Sequence, residues 1–321
     1  MSVVSRAYNQ FKIDNVRGTI TKSSDTQRLV DEMNYYGHVG VKHPEERIFF
    51  PRILDSNYIP PYWFTAELYD YPDLGKYLIN DYHMRNWGTV FIAIKKILNR
   101  WDNLRNHTDR AITDGYARAM YIEKTETEYQ ALVKLFGDKY PQFNPRMFTN
   151  HGYDINGMMC DNFEYIWPSV KAYIESNLLT YTPMMIHGDC CLSNLLYGEH
   201  RAVVRFVDPR GSFGEKGIYG DRRYDIAKLY HSVDGKYEFI INDQYELSCT
   251  ATQYKLSYSR NDNPGKAEFE EFILSDYSKK DIKLIEGLIF IGMAARHYDN
   301  FNRQEMMYFT GLKLLNEAME L

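Results

Sequence analysis

The sequence lacks an excess of basic residues. Its 321 residues include 38 Lys and Arg against 43 Asp and Glu, which gives a formal net charge of -5. Proteins that bind nucleic acid or anionic lipid through their overall charge carry a positive balance instead. We therefore expect neither nucleic acid nor a lipid surface as a partner, and any basic site must be local.

Cysteine is scarce, and its spacing fits neither a disulfide framework nor a structural zinc site. The four cysteines are Cys160, Cys190, Cys191 and Cys249. Two of them are neighbours, and none forms the C-x-x-C pair that is typical of structural zinc sites. Residues 1–15 also lack the apolar segment of a signal peptide. These features predict a reduced, cytoplasmic protein.

Long apolar runs and flexible linkers are absent as well. The longest apolar run, residues 287–295, is far shorter than the roughly 20 residues that cross a bilayer. No repeat, low-complexity tract or Gly/Ser-rich linker interrupts the sequence. Because 44% of the residues are hydrophobic and 25% are charged, the composition is that of a globular protein. We expect no membrane span, and either two domains or one domain with two lobes.

The beginning of the sequence has a mixed α/β pattern. Residues 16–22 alternate with period two and predict a strand with Val16, Ile20 and Lys22 on one face. Residues 24–27 resemble a capping box that opens a helix, and Glu32 lies beside the apolar stripe of that helix. A further strand is predicted at residues 62–69.

Helical patterns dominate the remainder. They begin near residue 73, and Pro168 favours the start of another helix because proline is common at the first helical position. A β-rich stretch with a hairpin covers residues 184–207, and helical spacing returns beyond residue 224.

These patterns predict an α+β fold with two lobes. We expect a small α/β N-terminal lobe over residues 1–70 and a large, mainly helical lobe over residues 71–321.

Three polar side chains, Asp189, Asn194 and Asp208, follow short predicted strands. Loops at the ends of strands commonly project polar groups into a cleft. An aspartate five residues before an asparagine, with a second aspartate after a hairpin, suits phosphoryl transfer. One carboxylate accepts the proton of an attacking hydroxyl, and the amide and the other carboxylate hold Mg²⁺.

The segment His187-Gly188-Asp189, with Asn194 and then Asp208, resembles the catalytic core of the aminoglycoside phosphotransferase and choline kinase family. The resemblance implies a protein-kinase-like fold and transfer of the γ-phosphoryl group of ATP or GTP to the hydroxyl of a small molecule. It also implies that Asp189 is the catalytic base, that Asn194 and Asp208 bind Mg²⁺, and that His187 orders the loop.

Residues 220–227 resemble a second landmark of this family. There the resemblance implies that Asp225, at the start of a helix, holds the backbone of the catalytic loop. Residues 208–211 and 224–231 also resemble phosphotransferase-like proteins of bacterial surface-polysaccharide synthesis. This second resemblance favours a sugar or polyol acceptor over an antibiotic.

Lys22 and Glu32 have the order of the nucleotide-binding pair of such kinases, in which a strand lysine meets a helix carboxylate. The alternative is an edge-strand lysine and a solvated glutamate. Glu67 and Leu68 fall where a strap between the lobes would offer backbone groups to a purine. No G-x-G-x-x-G precedes Lys22, so we expect an unorthodox phosphate-covering loop at residues 5–10.

Contacts to the acceptor are expected from the helical lobe. The candidates are Asp221, Arg222, His297 and Asp299, although each also fits a solvated helix end or a salt bridge. Tyr121, Lys124 and Thr125 form a further polar cluster on a predicted helix, which a surface face explains equally well. Basic groups near Asp189 would suit an acidic acceptor and carboxylates a cationic one, and the sequence leaves this choice open.

The sequence thus predicts an Mg²⁺-dependent phosphotransferase that acts on a sugar, polyol or amino alcohol. A protein or antibiotic acceptor is one alternative. The other is a nucleotide-binding pseudokinase or regulatory module that has lost turnover together with its glycine loop.

Overall fold

The computed structural model describes residues 9–80, 86–142, 147–260 and 262–321. Most of the expected phosphate-covering loop at residues 5–10 lies outside them. Within these ranges, no helix combines the length and the apolar composition needed to cross a bilayer. All four cysteines are described, and none forms a disulfide.

The N-terminal part is a four-stranded antiparallel sheet with one helix. Its elements are β1 (Asn9–Asp14), β2 (Thr19–Ser24), α1 (Gln27–Lys42), β3 (Ile53–Asn57) and β4 (Tyr62–Glu67). The strand order is β1-β2-β4-β3, so that β2 and β4 are central and α1 connects β2 to β3.

The strand that was expected at residues 16–22 begins later, at Thr19, as the second strand of a hairpin. Val16 is 98% exposed and lies in the turn between β1 and β2. The carboxylate of Asp14 accepts hydrogen bonds from the amides of Val16 and Arg17, each at 3.0 Å, and Gly18 adopts a left-handed φ of 63°. These turn bonds exclude Val16 from the ladder, and β1, which the sequence did not predict, pairs with β2 instead.

The helix expected after residue 24 is present, but its capping box is not. Thr26 precedes α1 and makes no side-chain cap, while the hydroxyl of Ser24 accepts a hydrogen bond from the Thr26 amide at 3.3 Å. Leu29, Met33 and Glu32 are all buried beneath α1. The apolar stripe therefore determined this helix more than its start signal did.

The rest of the chain is mainly helical. Its helices are α2 (Leu74–Ile79), α3 (Trp87–Trp101), α4 (Arg110–Arg118), α5 (Lys124–Lys139), α6 (Phe163–Asn177), α7 (Arg222–Val233), α8 (Tyr237–Ile241), α9 (Lys266–Phe272), α10 (Lys279–Ala294) and α11 (Phe301–Glu320). The almost wholly buried α10 packs against α11, α7 and α5 and forms the centre of the core. This α+β architecture is the one that the sequence predicted.

Short strands accompany these helices. They are β5 (Gly152–Ile155), β6 (Met158–Asp161), β7 (Met184–Met185), β8 (Leu195–Gly198), β9 (Val203–Phe206), β10 (Ser212–Phe213), β11 (Glu215–Lys216), β12 (Tyr219–Gly220), β13 (Tyr245–Cys249) and β14 (Gln253–Tyr258). The hairpin β8-β9 lies where it was expected, whereas β13 and β14 replace an expected helix and form a sheet in the order β13-β14-β5-β6.

The helix expected to begin at Pro168 begins earlier. Asn162 caps α6 by accepting a hydrogen bond from the amide of Phe163 at 2.8 Å, and the Tyr308 hydroxyl donates to the same side-chain oxygen at 2.6 Å. Pro168 lies inside the helix. A contact from the distant α11 thus supports the cap, which the local sequence could not reveal.

Candidate active site

A cavity of about 640 Å³ is lined by both the N-terminal sheet and the helical part. The predicted site residues on its walls are Lys22, Glu32, Glu67, Leu68, Asp189, Asn194, Asp208, His297 and Asp299. The structure therefore brings together residues as distant in the sequence as Lys22 and Asp299.

Lys22 connects the two parts of the cavity. It lies on β2, and its ammonium donates to a Glu32 carboxylate oxygen at 2.6 Å and to an Asp208 carboxylate oxygen at 2.7 Å. Burial opposes the charge of Lys22, but Asp208 and Glu32 outweigh it and raise the pKa of Lys22 above its ordinary value. The side chain is therefore a fixed cation at the expected phosphate position.

The loop that carries Asp189 follows β7, which is anchored to β12. The Asn194 side-chain amide donates to the Asp189 carbonyl at 2.9 Å, and the Val207 amide donates to the Asn194 carbonyl at 3.0 Å. The first bond holds Asn194 next to Asp189. The second holds Val207, and with it the following residue, Asp208, next to Asn194. Asp208 itself adopts a left-handed φ of 59°, which is uncommon for a non-glycine residue and is often found at functional sites.

The Asp189 carboxylate has a partner that we did not predict. Lys228, on α7, lies 2.7 Å from an Asp189 carboxylate oxygen. Burial opposes the charge of Lys228, but Asp189 and its other neighbours raise the pKa of this lysine above its ordinary value. Lys228 thus favours the ionised form of Asp189 and directs one of its oxygens.

His187 is fully buried behind this loop. Its Nε2 lies 3.0 Å from the Val207 carbonyl, and its Nδ1 accepts a hydrogen bond from the Asp189 amide at 3.3 Å. Burial lowers the pKa of His187, which favours the neutral ring with the proton on Nε2. Both ring nitrogens are therefore occupied in joining two loops.

Asp225 supports the same loop from α7. Its two carboxylate oxygens accept hydrogen bonds from the amides of His187 at 2.8 Å and Gly188 at 2.7 Å. Gly188 has a φ of 79°, and a Cβ there would lie 2.9 Å from the Cβ of Arg210. The loop thus follows a path that glycine permits and the buried carboxylate stabilises.

Two of the expected acceptor contacts lie elsewhere. Asp221 and Arg222 are 2% and 3% exposed and are not among the residues that line the cavity. Asp221 caps α7 and accepts from the Tyr121 hydroxyl at 2.8 Å. Arg222 donates to Asp225 at 3.0 Å and to the Met185 carbonyl at 2.6 Å. Asp221 is used in capping α7 and Arg222 in holding Asp225 and the backbone before the loop, so the prediction that they contact the acceptor was wrong.

Asp225→Asn is expected to lower the free energy of unfolding by about 1–3 kcal/mol, because it removes one of the two carboxylates, Asp225 and Asp102, that pair with the buried Arg222. The asparagine side chain also has a single acceptor oxygen, whereas the two oxygens of Asp225 each accept a hydrogen bond from one loop amide, that of His187 or that of Gly188. Denaturant unfolding measures this change, with Asp55→Asn on the exposed face of β3 as the matched control. A loss no larger than that of the control would contradict the supporting role.

The other predicted residues have these positions. The Glu67 carboxylate pairs with Arg52 at 2.8 Å, and the Leu68 amide donates to the Gly18 carbonyl at 2.9 Å. That amide is therefore used within the sheet and is not directed at a purine. His297 and Asp299 lie on the cavity wall after α10, and Asp299 is 3.5 Å from Arg303.

The donor set fits the Mg²⁺ ion that the resemblance implies. The Asp208 side chain is half exposed toward the cavity, and the bond from the Asn194 side-chain nitrogen leaves its oxygen for another partner. One carboxylate and one amide oxygen suit Mg²⁺, which usually keeps waters and substrate phosphates as its other ligands. Among the described residues, no group of three or more His, Cys, Asp or Glu side chains forms a metal site by protein ligands alone.

Four basic side chains line the cavity together with Asp189, namely Lys124, Arg210, Lys228 and Arg296, and of these only Lys124 was considered from the sequence. Only the position of Lys228 could have been inferred from the local sequence, because Lys228 follows Asp225 by three residues on the same helix. The others are brought in by three separate segments of the chain.

Solved structures share this architecture. Aminoglycoside phosphotransferase APH(2'')-Ib with ADP bound matches with a TM-score of 0.54 and 12% identity over 98% of this chain and 93% of its own. The streptomycin–ATP complex of APH(2'')-IIa matches with a TM-score of 0.53 and 12% identity, over 99% and 90% of the two chains. A protein of Haemophilus somnus 129PT, provisionally named a fructosamine-3-kinase, matches with a TM-score of 0.50 and 9% identity over 92% and 83%.

At such low identities the likeness establishes the fold alone. The chain has the two-lobed, protein-kinase-like fold of these structures, as the sequence resemblance implied. Neither a protein-family model nor a curated protein matches the sequence.

Proposed function

We propose that this protein transfers the γ-phosphoryl group of ATP to a hydroxyl of a small metabolite such as a sugar, polyol or amino alcohol. The observation that carries the proposal is the convergence of Lys22, Glu32 and Asp208 on one wall of the cavity that Asp189 also lines. The nucleotides named for the similar structures, ADP and ATP, support a nucleotide donor. Residues 1–70 and 71–321 would be the two lobes that enclose it.

The proposed reaction is a direct displacement. The acceptor oxygen bonds to the γ-phosphorus while the bond from that phosphorus to the β,γ-bridging oxygen breaks, and ADP leaves. Asp189 accepts the hydroxyl proton, and the Lys228 ammonium, 2.7 Å away, orients its carboxylate. Lys22 offers its charge to the nucleotide phosphates.

Asn194 and Asp208 would hold the Mg²⁺ ion, which neutralises phosphate charge when it is bound. Because Asp208 contacts Lys22 directly, the cation and the proposed metal ligand would lie beside the same phosphates. His187 and Asp225 would position the loop without touching the acceptor.

The decisive experiment incubates the protein with Mg²⁺ and ATP, or GTP, and a panel of sugars, sugar acids, polyols, amino alcohols and aminoglycosides. Transfer of labelled phosphate to one of these compounds is the expected result. Nucleotide-dependent thermal stabilisation without transfer to any compound would favour the nucleotide-binding module instead.

Asp208→Ala is expected to remove most of the contribution of Mg²⁺ to nucleotide binding. Mg²⁺ should strengthen the binding of a non-hydrolysable ATP analogue to the unaltered protein by about tenfold or more, and much less in the variant. Calorimetry with and without Mg²⁺ measures the difference. The matched control is Asp276→Ala, since that carboxylate is also half exposed and pairs with a lysine, Lys95. An equal Mg²⁺ effect in both variants would exclude Asp208 as a ligand.

A further inference from the structure

A cluster of basic side chains lies on the helical side of Asp189. We call Lys124, Arg210, Lys228 and Arg296 the basic cluster. They come from α5, from the loop after β9, from α7 and from the segment after α10, and all four line the cavity. None belongs to the N-terminal sheet, where Lys22 already meets Glu32 and Asp208.

The acidic partners of the basic cluster are fewer than its cations. Asp189 pairs with Lys228, and Glu128 pairs with Arg296 and lies 3.9 Å from Lys124. Of the other carboxylates that line the cavity, Asp31 pairs with Lys216, Asp73 with Lys76 and Asp299 with Arg303. Glu238 accepts hydrogen bonds from the Ser193 amide and the Ser232 hydroxyl. Within the basic cluster, four basic side chains therefore face two paired carboxylates, Asp189 and Glu128.

Among the members of the basic cluster, Lys124 shows most clearly that the neighbouring positive charges disfavour its charged form. Its side chain is only 20% exposed, and its distance to the Glu128 oxygen exceeds that of a hydrogen bond. Burial, together with the charges of Arg210, Arg296 and Lys228, lowers the pKa of Lys124 well below its ordinary value. A bound anion would offset this repulsion.

Tyr224 helps to fix the geometry of the cluster. The Lys124 ammonium lies 5.9 Å from the centre of its ring and the Arg210 guanidinium 5.8 Å. Arg210 also donates to the Tyr224 hydroxyl at 3.0 Å. The two cations are thus held near one ring, as in a preformed anion site, and are not spread into solvent.

We infer that the phosphoryl acceptor is itself an anion, a small hydroxyl compound that carries a carboxylate or a phosphate, and that the basic cluster binds this group while Asp189 faces the hydroxyl. The inference rests on the proposed function and specifies its substrate class. It separates this protein from the aminoglycoside-binding neighbours, because the basic cluster repels polycationic amines.

The test is a binding measurement that does not require turnover. The full chain is saturated with Mg²⁺ and a non-hydrolysable ATP analogue, so that the nucleotide fills the site at Lys22. Glucuronate, glucose 6-phosphate, glucose, glucosamine and streptomycin are then titrated by calorimetry at low and at high salt. The carboxylate and phosphate arms distinguish the two sources of negative charge.

We expect at least one of the two anionic probes to bind more tightly than glucose, and glucosamine and streptomycin to bind more weakly. Lys124→Gln should weaken binding of the anionic probe about tenfold, whereas Lys124→Arg should largely retain it. The matched control is Lys134→Gln, which removes the same charge from the exposed face of α5. High salt should reduce the preference for anions.

Equal effects of Lys124→Gln and Lys134→Gln, no binding of either anion, or tighter binding of the amines would overturn the inference. If the anions bind as expected but no phosphate is transferred from ATP, the anion site stands and the proposed phosphotransferase activity fails.

Discussion

Asp189→Asn is expected to reduce phosphoryl transfer by roughly 10²–10⁴-fold, the range that a positioned general base contributes. Asparagine retains the size of the side chain and an oxygen that faces Lys228, but it cannot accept the hydroxyl proton at neutral pH. Nucleotide binding should remain nearly unchanged, because Lys22, Glu32 and Asp208 are intact. Turnover with ATP and calorimetric affinity for an ATP analogue measure the two effects separately.

The asparagine variant is preferable to Asp189→Ala. Alanine would leave Lys228, which is 5% exposed, without the carboxylate beside it and would confuse lost stability with lost chemistry. Asp138→Asn on the exposed surface of α5 is the matched control. If Asp189→Asn turned over acceptor as fast as this control, Asp189 would not be the base.

Lys22→Met should have the second large effect, on stability as well as on activity. The substitution leaves the buried Glu32 carboxylate without its cation, a loss of about 3–5 kcal/mol when one partner of a buried pair is removed. It also removes the charge that we assign to the nucleotide phosphates. We expect a lower midpoint of denaturation, weaker nucleotide binding and loss of transfer.

A double variant separates these two consequences. Lys22→Met combined with Glu32→Gln removes the uncompensated charge, so most of the stability should return while transfer remains lost. Lys12→Met on the exposed face of β1 serves as the control for the loss of a lysine from the same sheet. Recovery of transfer in the double variant would show that Lys22 acts only through the stability of the fold.

The order of the elements was largely predictable. The strand at β4, the hairpin β8-β9 and the long helices of the C-terminal part follow from period-two and helical patterns. The errors occur where long-range contacts override a local signal. Asn162, supported by Tyr308, starts α6 before Pro168. Strand β14 pairs with the distant β5 where helical spacing was expected.

The candidate site also contains features that the local sequence predicts and features that depend on the tertiary structure. The relation between Asp189 and Asn194 is local, because five residues separate them in one loop that closes on its own backbone. The assignment of Asp221 and Arg222 failed because a sequence does not show whether a polar side chain points into the cavity or into the core. The structure shows that both side chains point into the core, where Asp221 contacts Tyr121 and Arg222 contacts Met185.

The amino-acid sequence was sufficient for the class of fold, for the motif around Asp189 and for the pairing of Lys22 with Glu32, since these depend on short-range spacing and on the burial of apolar faces. The charge around the acceptor position was decided only in three dimensions. Lys124, Arg210 and Arg296 are distant from one another in a chain whose net charge is -5. Electrostatic interactions depend on distance through space, and only the tertiary structure brings α5, the loop after β9 and the segment after α10 to one cavity.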